Sequence, residues 1–103
     1  MRGNLARRVA ERVTLTRPAK IQELGDSDFR ELIALCMGKS ERYGIDGERD
    51  LATLAEFMLD ISSNFDDMSK YAWTRTLLND SSLDSNLKME LLHFRMTGLA
   101  RPV

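Results

Sequence analysis

The chain has 103 residues, of which 43% are hydrophobic and 30% are charged, and it carries a formal net charge of −1. This length suits one domain with a single core, and the composition is that of a globular, soluble protein. The apolar stretches are far shorter than the ~20 residues of a bilayer-spanning helix, so no transmembrane helix is expected. The first residues lack the apolar segment of a secretory signal and Cys36 is the single cysteine, which together favour a cytoplasmic location.

Charge is distributed unevenly along the chain. The first 20 residues contain six basic side chains and one acidic one, whereas the remaining 83 contain nine basic and fifteen acidic ones. Within the first 20, Leu5, Val9 and Val13 recur every four residues, which predicts a short amphipathic helix. Pro18 disfavours helical dihedrals in the residue before it and separates this helix from the rest of the chain.

We therefore divide the chain into a basic N-terminal arm, residues 1–20, and a helical domain, residues 21–103. The arm has three alternative uses: it can bind nucleic acid, dock on an acidic partner or an anionic membrane, or pack on its own acidic domain. The candidate contacts to phosphates or to an acidic partner are Arg7, Arg8, Arg12 and Arg17.

A second helix is predicted to begin at Asp26 or Ser27, whose side-chain oxygens can accept hydrogen bonds from free backbone N–H groups. It ends at Gly44, which can adopt the left-handed conformation while Ile45 folds back on the last turn in a Schellman motif. Asp46 is then the predicted N-cap of the next helix, in which apolar residues recur with a period of about 3.6.

A further helix is predicted to start near Asp66 or Asp67 and to run through Leu78. The polar residues 79–82 end it, because short polar side chains compete for backbone hydrogen bonds.

The last predicted helix is capped by Asp84 or Ser85 and ends at Gly98, and residues 99–103 are expected to fray. Nowhere do apolar and polar residues alternate over the four or more positions that indicate a strand. The sequence thus predicts an all-α fold, a compact bundle of four to five short helices around one core.

Few residues form a recognisable chemical pattern. Asp46, Glu48 and Asp50 resemble part of a calcium loop, but the glycine and the closing glutamate that such a loop needs are missing, and helix capping explains them. His93 is the single histidine and has no nucleophile or ligand pattern around it, while Cys36 lies in an apolar run typical of a buried thiol. We therefore predict a protein that is not an enzyme, with no catalytic residues, no cofactor and no metal site.

Aromatic, aliphatic and methionine side chains near the helix corner and in the following helix are the predicted contacts with a protein partner. Rigid aromatic residues dominate binding energies, and methionine adapts to varied surfaces. These residues are Tyr43, Ile45, Met68, Tyr71 and Trp73. Core packing is the alternative for Trp73, whose indole N–H would then need a polar partner.

Residues 43–92 also resemble a pattern found in small helical bacterial proteins and domains that accompany type VI secretion effectors. The matching residues are Tyr43, Gly44, Ile45, Glu48, Arg49, Asp50, Met58, Phe65, Asp66, Trp73, Leu78 and Asp80. Residues 61–64 depart from this pattern, since they read Ile-Ser-Ser-Asn where Leu-Gly is expected before the phenylalanine. The resemblance implies an accessory role, as an adaptor, chaperone or immunity-like partner that acts by recognition.

The main functional hypothesis is a non-enzymatic protein–protein interaction module, with charges setting its orientation on a larger bacterial protein. The alternative is a nucleic-acid-associated regulator that binds through the basic arm. The helix that would enter a DNA groove opens with acidic residues, so such binding would have to use the arm. Homo-oligomerisation is a further alternative.

Overall fold

The computed structural model describes the backbone of residues 2–101 and the side chains of residues 4–101. This part of the chain forms six α-helices and two single-turn 3₁₀ helices, without a strand. The α-helices are α1 (Arg2–Thr16), α2 (Pro18–Leu24), α3 (Asp26–Tyr43), α4 (Glu48–Asp60), α5 (Ala72–Leu78) and α6 (Ser85–Thr97), and the 3₁₀ turns, Phe65–Asp67 and Ser69–Tyr71, lie between α4 and α5. The predicted all-α fold is confirmed.

Helix α4 is the centre of the bundle and packs against α1, α3 and α6. Its apolar residues lie on more than one side, so most of its surface is buried, including the fully covered Leu54 and Ala55. The core is completed from other elements by Phe65, Leu78 and Leu92, each of which is 0% exposed. The radius of gyration of 12.8 Å is that expected of one domain of this length.

The N-terminal segment is part of the same core. Val9 and Val13 of α1 are both 0% exposed and belong to the cluster that α3 and α4 form. The sequence separated residues 1–20 as an arm, and of its three proposed uses the fold shows packing on the acidic domain. The charge of Arg2, which the sequence counted in the arm, lies outside the described side chains.

Helix α2 was not predicted. Pro18 does interrupt the helix before it, but it then occupies the first turn of a new helix, where its missing N–H is not needed. Arg17 supplies the break, with φ −132° and ψ 50°. The sequence predicted at most five helices, and α2 adds a sixth.

The corner between α3 and α4 has the predicted Schellman geometry. Gly44 is left-handed with φ 67°, and the N–H of Ile45 donates to the carbonyl of Ser40 at 2.9 Å. Lys88 of α6 adds a donor to the carbonyl of Tyr43 at 2.6 Å. The N-cap of α4 is Gly47 rather than the predicted Asp46, since the backbone of Asp46 hydrogen-bonds to Ser85 instead of starting the helix.

The segment before α5 differs from the prediction. Residues 65–71 form two 3₁₀ turns separated by an extended residue, Met68 (φ −77°, ψ 136°), so α5 begins only at Ala72. The predicted cap Asp66 points inward and is 2% exposed, with its carboxylate bound by Lys39 and Tyr43. The contacts of Asp66 with Lys39 and Tyr43 take the place of the continuous helix that the sequence predicted here.

Both ends of α6 follow the prediction. The Asp84 carboxylate accepts from the N–H of Leu87 at 2.8 Å, and Gly98 ends the helix with φ 76°. The tail beyond it was expected to fray, yet Arg101 is buried against α4 and α6. Pro102 and Val103, the last residues of that predicted tail, lie outside the described residues.

Candidate functional site

An apolar strip faces outward on α6. Leu87, Leu91 and Phe94 are spaced by four and three residues and therefore lie on one face of the helix. Leu87 is 43% exposed and Phe94 is 57% exposed, while Leu91 is half-buried and lies outside the set of side chains packed on the core. Met89 and Leu92 point the opposite way into the core. Helix α6 is thus apolar on two faces, and one of them is partly exposed in the described chain.

The α6 strip adjoins the predicted aromatic region through one contact. The guanidinium of Arg95 lies over the ring of Trp73 at 4.3 Å from its centroid, a cation–π arrangement. Trp73 is half-buried and packs against the core with part of its surface. Core packing, the alternative predicted for this residue, is therefore present, and its contact with a partner stays a prediction.

Two other predicted partner contacts are accessible in the fold. Met68 is 41% exposed, and Tyr71 is half-buried with the ammonium of Lys70 at 5.5 Å from its ring centroid. Both precede α5, the helix that carries Trp73 and packs against α6. Three of the five residues predicted to contact a partner, counting Trp73, thus reach the surface.

Tyr43 and Ile45 do not reach it. They are 6% and 4% exposed because the Schellman corner turns both side chains into the core. The Tyr43 hydroxyl donates to the carboxylate of Asp66, which also accepts from Lys39 at 2.7 Å. Neither side chain is available for a partner in this fold, and we remove both from the candidate surface.

The buried cluster of Lys39, Tyr43 and Asp66 is a structural network. Burial, reinforced by the hydrogen bond to Asp66, raises the pKa of Tyr43 to about 12. Burial alone would raise the pKa of Asp66, but the hydrogen bonds from Lys39 and Tyr43 and the charge of Lys39 outweigh it and hold that pKa below its usual value. At neutral pH the tyrosine therefore keeps its proton while the carboxylate is charged, and the network joins α3 to the turn after α4.

A polar cleft of about 330 Å³ lies between α1, α4 and α6. Its lining side chains are Arg12, Thr16, Arg17, Arg49, Ala52, Thr53, Glu56, His93 and Arg101. The ring of His93 contacts the carbonyl of Leu99 through Nδ1 at 3.1 Å. The arginines lie beside carboxylates that offset their charges, so the cleft carries no strong positive field of the kind that captures anions.

The same pairing affects the predicted nucleic-acid contacts. Arg8 and Arg12 both bind Glu48, at 3.1 and 2.9 Å, and Arg17 binds Asp60 at 3.0 Å. The hydrogen bond to Asp60 raises the pKa of Arg17 further. Of the four predicted arginines, Arg7 is exposed on α1 and is not in one of these pairs. The arm therefore presents much less unbalanced charge than its sequence indicates.

The single cysteine and the carboxylates of residues 46–50 could carry chemistry, but both have ordinary structural environments. Cys36 is 0% exposed, its thiol donates to the carbonyl of Leu51 at 3.4 Å, and burial raises its pKa to about 12, so the reactive thiolate is disfavoured. The carboxylates of the supposed calcium loop diverge, since Glu48 binds α1 while Asp50 binds Arg101. Within residues 4–101 no three side chains of metal-ligating type converge.

Sequence reasoning missed the buried and hydrogen-bonded side chain of Arg101. Its guanidinium donates to Asp50, Thr53, Asn86 and Glu90 and is 3% exposed. No local pattern could have found it, because Asp50 lies 51 positions away. Arginine side chains are mostly exposed in proteins, so an arginine in a short tail is expected to be solvated.

Comparison of the chain with protein-family models, curated proteins and solved structures finds no match. Among the helices described, none has the length and apolar character needed to cross a bilayer. The fold and surface define a class of protein, a small all-α bundle with a partly exposed apolar strip on α6.

Proposed function

We propose that this chain is a non-enzymatic protein-interaction module that binds an amphipathic helix of a partner protein along α6. The observation that carries the proposal is the strip of Leu87, Leu91 and Phe94, in which Leu87 and Phe94 are 43% and 57% exposed while Leu91 is half-buried. An apolar helix face of this spacing fits the i, i+4, i+7 anchors of helix recognition. Phe94 is the expected centre of the contact, because large rigid side chains contribute most of the binding energy.

Trp73 and Met68 extend the proposed contact beyond α6. Trp73 is held in place by Arg95, so it would reach a partner already oriented and would lose little conformational freedom on binding. Met68 offers an exposed side chain that can adapt its shape. The adaptor, chaperone or immunity-like role that the resemblance to type VI effector accessories implies is compatible with such a surface. We place this activity in the cytoplasm, where the single thiol stays reduced.

Nucleic-acid binding receives less support from the geometry. Three of the four candidate arginines are paired with carboxylates of α4, and binding phosphates would first require those pairs to break. The acidic residues Glu48 and Glu56 also lie beside them. We therefore keep the interaction module as the proposal.

The test compares three variants in the source cell: Phe94→Ala, Leu87→Ala and, as a matched control, Leu15→Ala. Leu15 is 83% exposed but lies on α1, away from the strip. A partner is expected to co-purify with the wild type and with Leu15→Ala, whereas Phe94→Ala should weaken the complex roughly 30-fold, the effect of losing about 2 kcal/mol of contact energy.

Circular dichroism would show that the variants remain folded. A partner retained equally by Phe94→Ala and by the wild type would contradict the proposal, as would the absence of any partner. Sedimentation of the purified protein separates the remaining case, since self-association abolished by Phe94→Ala would assign the strip to a second copy.

A further inference from the structure

The guanidinium of Arg101 occupies a pocket that matches it atom by atom. Nε donates to Glu90 at 3.1 Å, Nη1 donates to Asp50 at 2.7 Å and to Thr53 at 3.3 Å, and Nη2 donates to Asn86 at 2.7 Å. All three nitrogens thus have acceptors. This arrangement suits the planar fork of arginine, whereas the compact ammonium of lysine could not reach the same acceptors together.

The pocket is built by elements other than the tail. Asp50 and Thr53 belong to α4, and Asn86 and Glu90 belong to α6. The hydroxyl of Ser85 donates to Asp50 at 2.7 Å, so that carboxylate is positioned without Arg101. The side chain of Asp50 is only 10% exposed, whereas that of Glu90 is 34% exposed and also pairs with Arg49 at 3.6 Å. A carboxylate as buried as Asp50 is costly without a cation beside it, so the pocket favours a positive ligand.

Apart from the side chain of Arg101 itself, the segment that delivers it has few contacts. After Gly98 the chain leaves α6, and Leu99 is 68% exposed while Ala100 is also exposed. The backbone of Leu99 hydrogen-bonds to the side chains of Thr97 and His93 near the end of α6, and Arg101 is the buried side chain of this stretch. Segments with so few apolar contacts open at much lower free energy than the whole fold.

We propose that the pocket formed by Asp50, Thr53, Asn86 and Glu90 is a guanidinium-binding site, which Arg101 occupies within the chain and an arginine of another polypeptide occupies when the tail leaves. The ligand class is an arginine side chain in an extended segment, and the tail itself shows the fit. The site is separate from the apolar strip on α6, so either proposal can fail without the other.

The test uses the Arg101→Ala variant and two short probes, acetyl-Leu-Ala-Arg-amide and acetyl-Leu-Ala-Lys-amide. Amide NMR spectra would follow the side-chain NH₂ of Asn86 and the backbone N–H groups of Thr53 and Glu90. We expect saturable shifts at these positions with the arginine probe, at least tenfold weaker binding of the lysine probe, and at least a tenfold loss when Glu90→Gln is added. Equal binding of the two probes, or no localised shift up to about 10 mM, would overturn the proposal.

Arg101→Lys provides a second variant if Arg101→Ala does not fold, because it keeps a cation in the pocket. The arginine probe should then displace the substituted side chain, and the signals of Leu99 and Ala100 should move to positions typical of a disordered tail. The wild type should show the same displacement at higher probe concentration. A tail that stays in place in both proteins up to about 10 mM probe would also overturn the proposal.

Discussion

Asp66 and Asp67 are neighbours in the chain with opposite environments. Asp66 is buried between Lys39 and Tyr43, whereas the side chain of Asp67 is 59% exposed and pairs with Arg75 at the surface. A buried ion pair that loses one member leaves an uncompensated charge, while an exposed pair contributes little because water and salt screen it. Because both aspartates belong to ion pairs, the same substitution at the two positions shows how strongly burial of the pair affects the stability of the fold.

Asp66→Ala is expected to lower the free energy of unfolding by about 3–5 kcal/mol, and Asp67→Ala by less than about 1 kcal/mol. Urea unfolding followed by circular dichroism measures both. The pKa of Asp66 is lowered by folding, so its contribution is present above the ordinary carboxyl pKa and is lost as the pH falls through the lowered value. The difference between wild type and Asp66→Ala should shrink accordingly in acid. Similar losses for the two variants at neutral pH would refute this account.

At the scale of an element, α3 and its C-terminal cap contain two glycines with opposite requirements. Gly44 ends the helix with φ 67°, a conformation that costs other residues roughly 1–2 kcal/mol. Gly38 lies inside the helix, with nothing within 4 Å of an added Cβ. The first glycine is needed by the corner, whereas the second only adds flexibility to the unfolded chain.

Gly44→Ala should therefore destabilise the protein by about 1–2 kcal/mol, while Gly38→Ala should stabilise it by about 0.5–1 kcal/mol. An added Cβ at Gly44 would meet Lys88 Nζ at 3.7 Å, an ordinary contact, so backbone strain alone accounts for the loss. Thermal unfolding would record melting temperatures that move in opposite directions. Two shifts of the same sign would show that the corner does not depend on the left-handed residue.

At the scale of the whole molecule, α1 is part of the core and not an appendage. Val13 is 0% exposed and belongs to the cluster formed with α3 and α4, whereas Leu15, two positions later, is 83% exposed. Burial of α1 ties the basic segment to the acidic α4 through Arg12 and Glu48. The opposite net charges of residues 1–20 and residues 21–103 are thus partly paired with each other within the chain.

Val13→Ala should lower the free energy of unfolding by about 2 kcal/mol, since it removes buried methyl groups and leaves a cavity in the core. Leu15→Ala, which removes more carbon from the same helix, should change it by no more than about 0.5 kcal/mol. Both values come from urea titrations under one set of conditions. If Val13→Ala were as neutral as Leu15→Ala, α1 would be an arm after all.

The features that the sequence predicted well depend on residues only a few positions apart. The left-handed Gly44 and Gly98 and the cap at Asp84 follow from local backbone chemistry, and the absence of alternating patterns correctly indicated helices. The burial of Cys36 was predicted from its apolar neighbours. These signals suffice for the fold class and for several helix ends.

The tertiary structure alone decided the environments that depend on distant partners. Lys39 pairs with Asp66, 27 positions further along the chain, and Asp50 pairs with Arg101, 51 positions further. Local periodicity could not show either pair. The candidate site has the same origin, because every apolar residue of α6 fits a helical pattern and only packing determines that Phe94 remains uncovered. By itself the sequence determined the all-α class and several helix ends, because these depend on near neighbours, whereas the association of the helices determined which side chains are buried and which stay exposed.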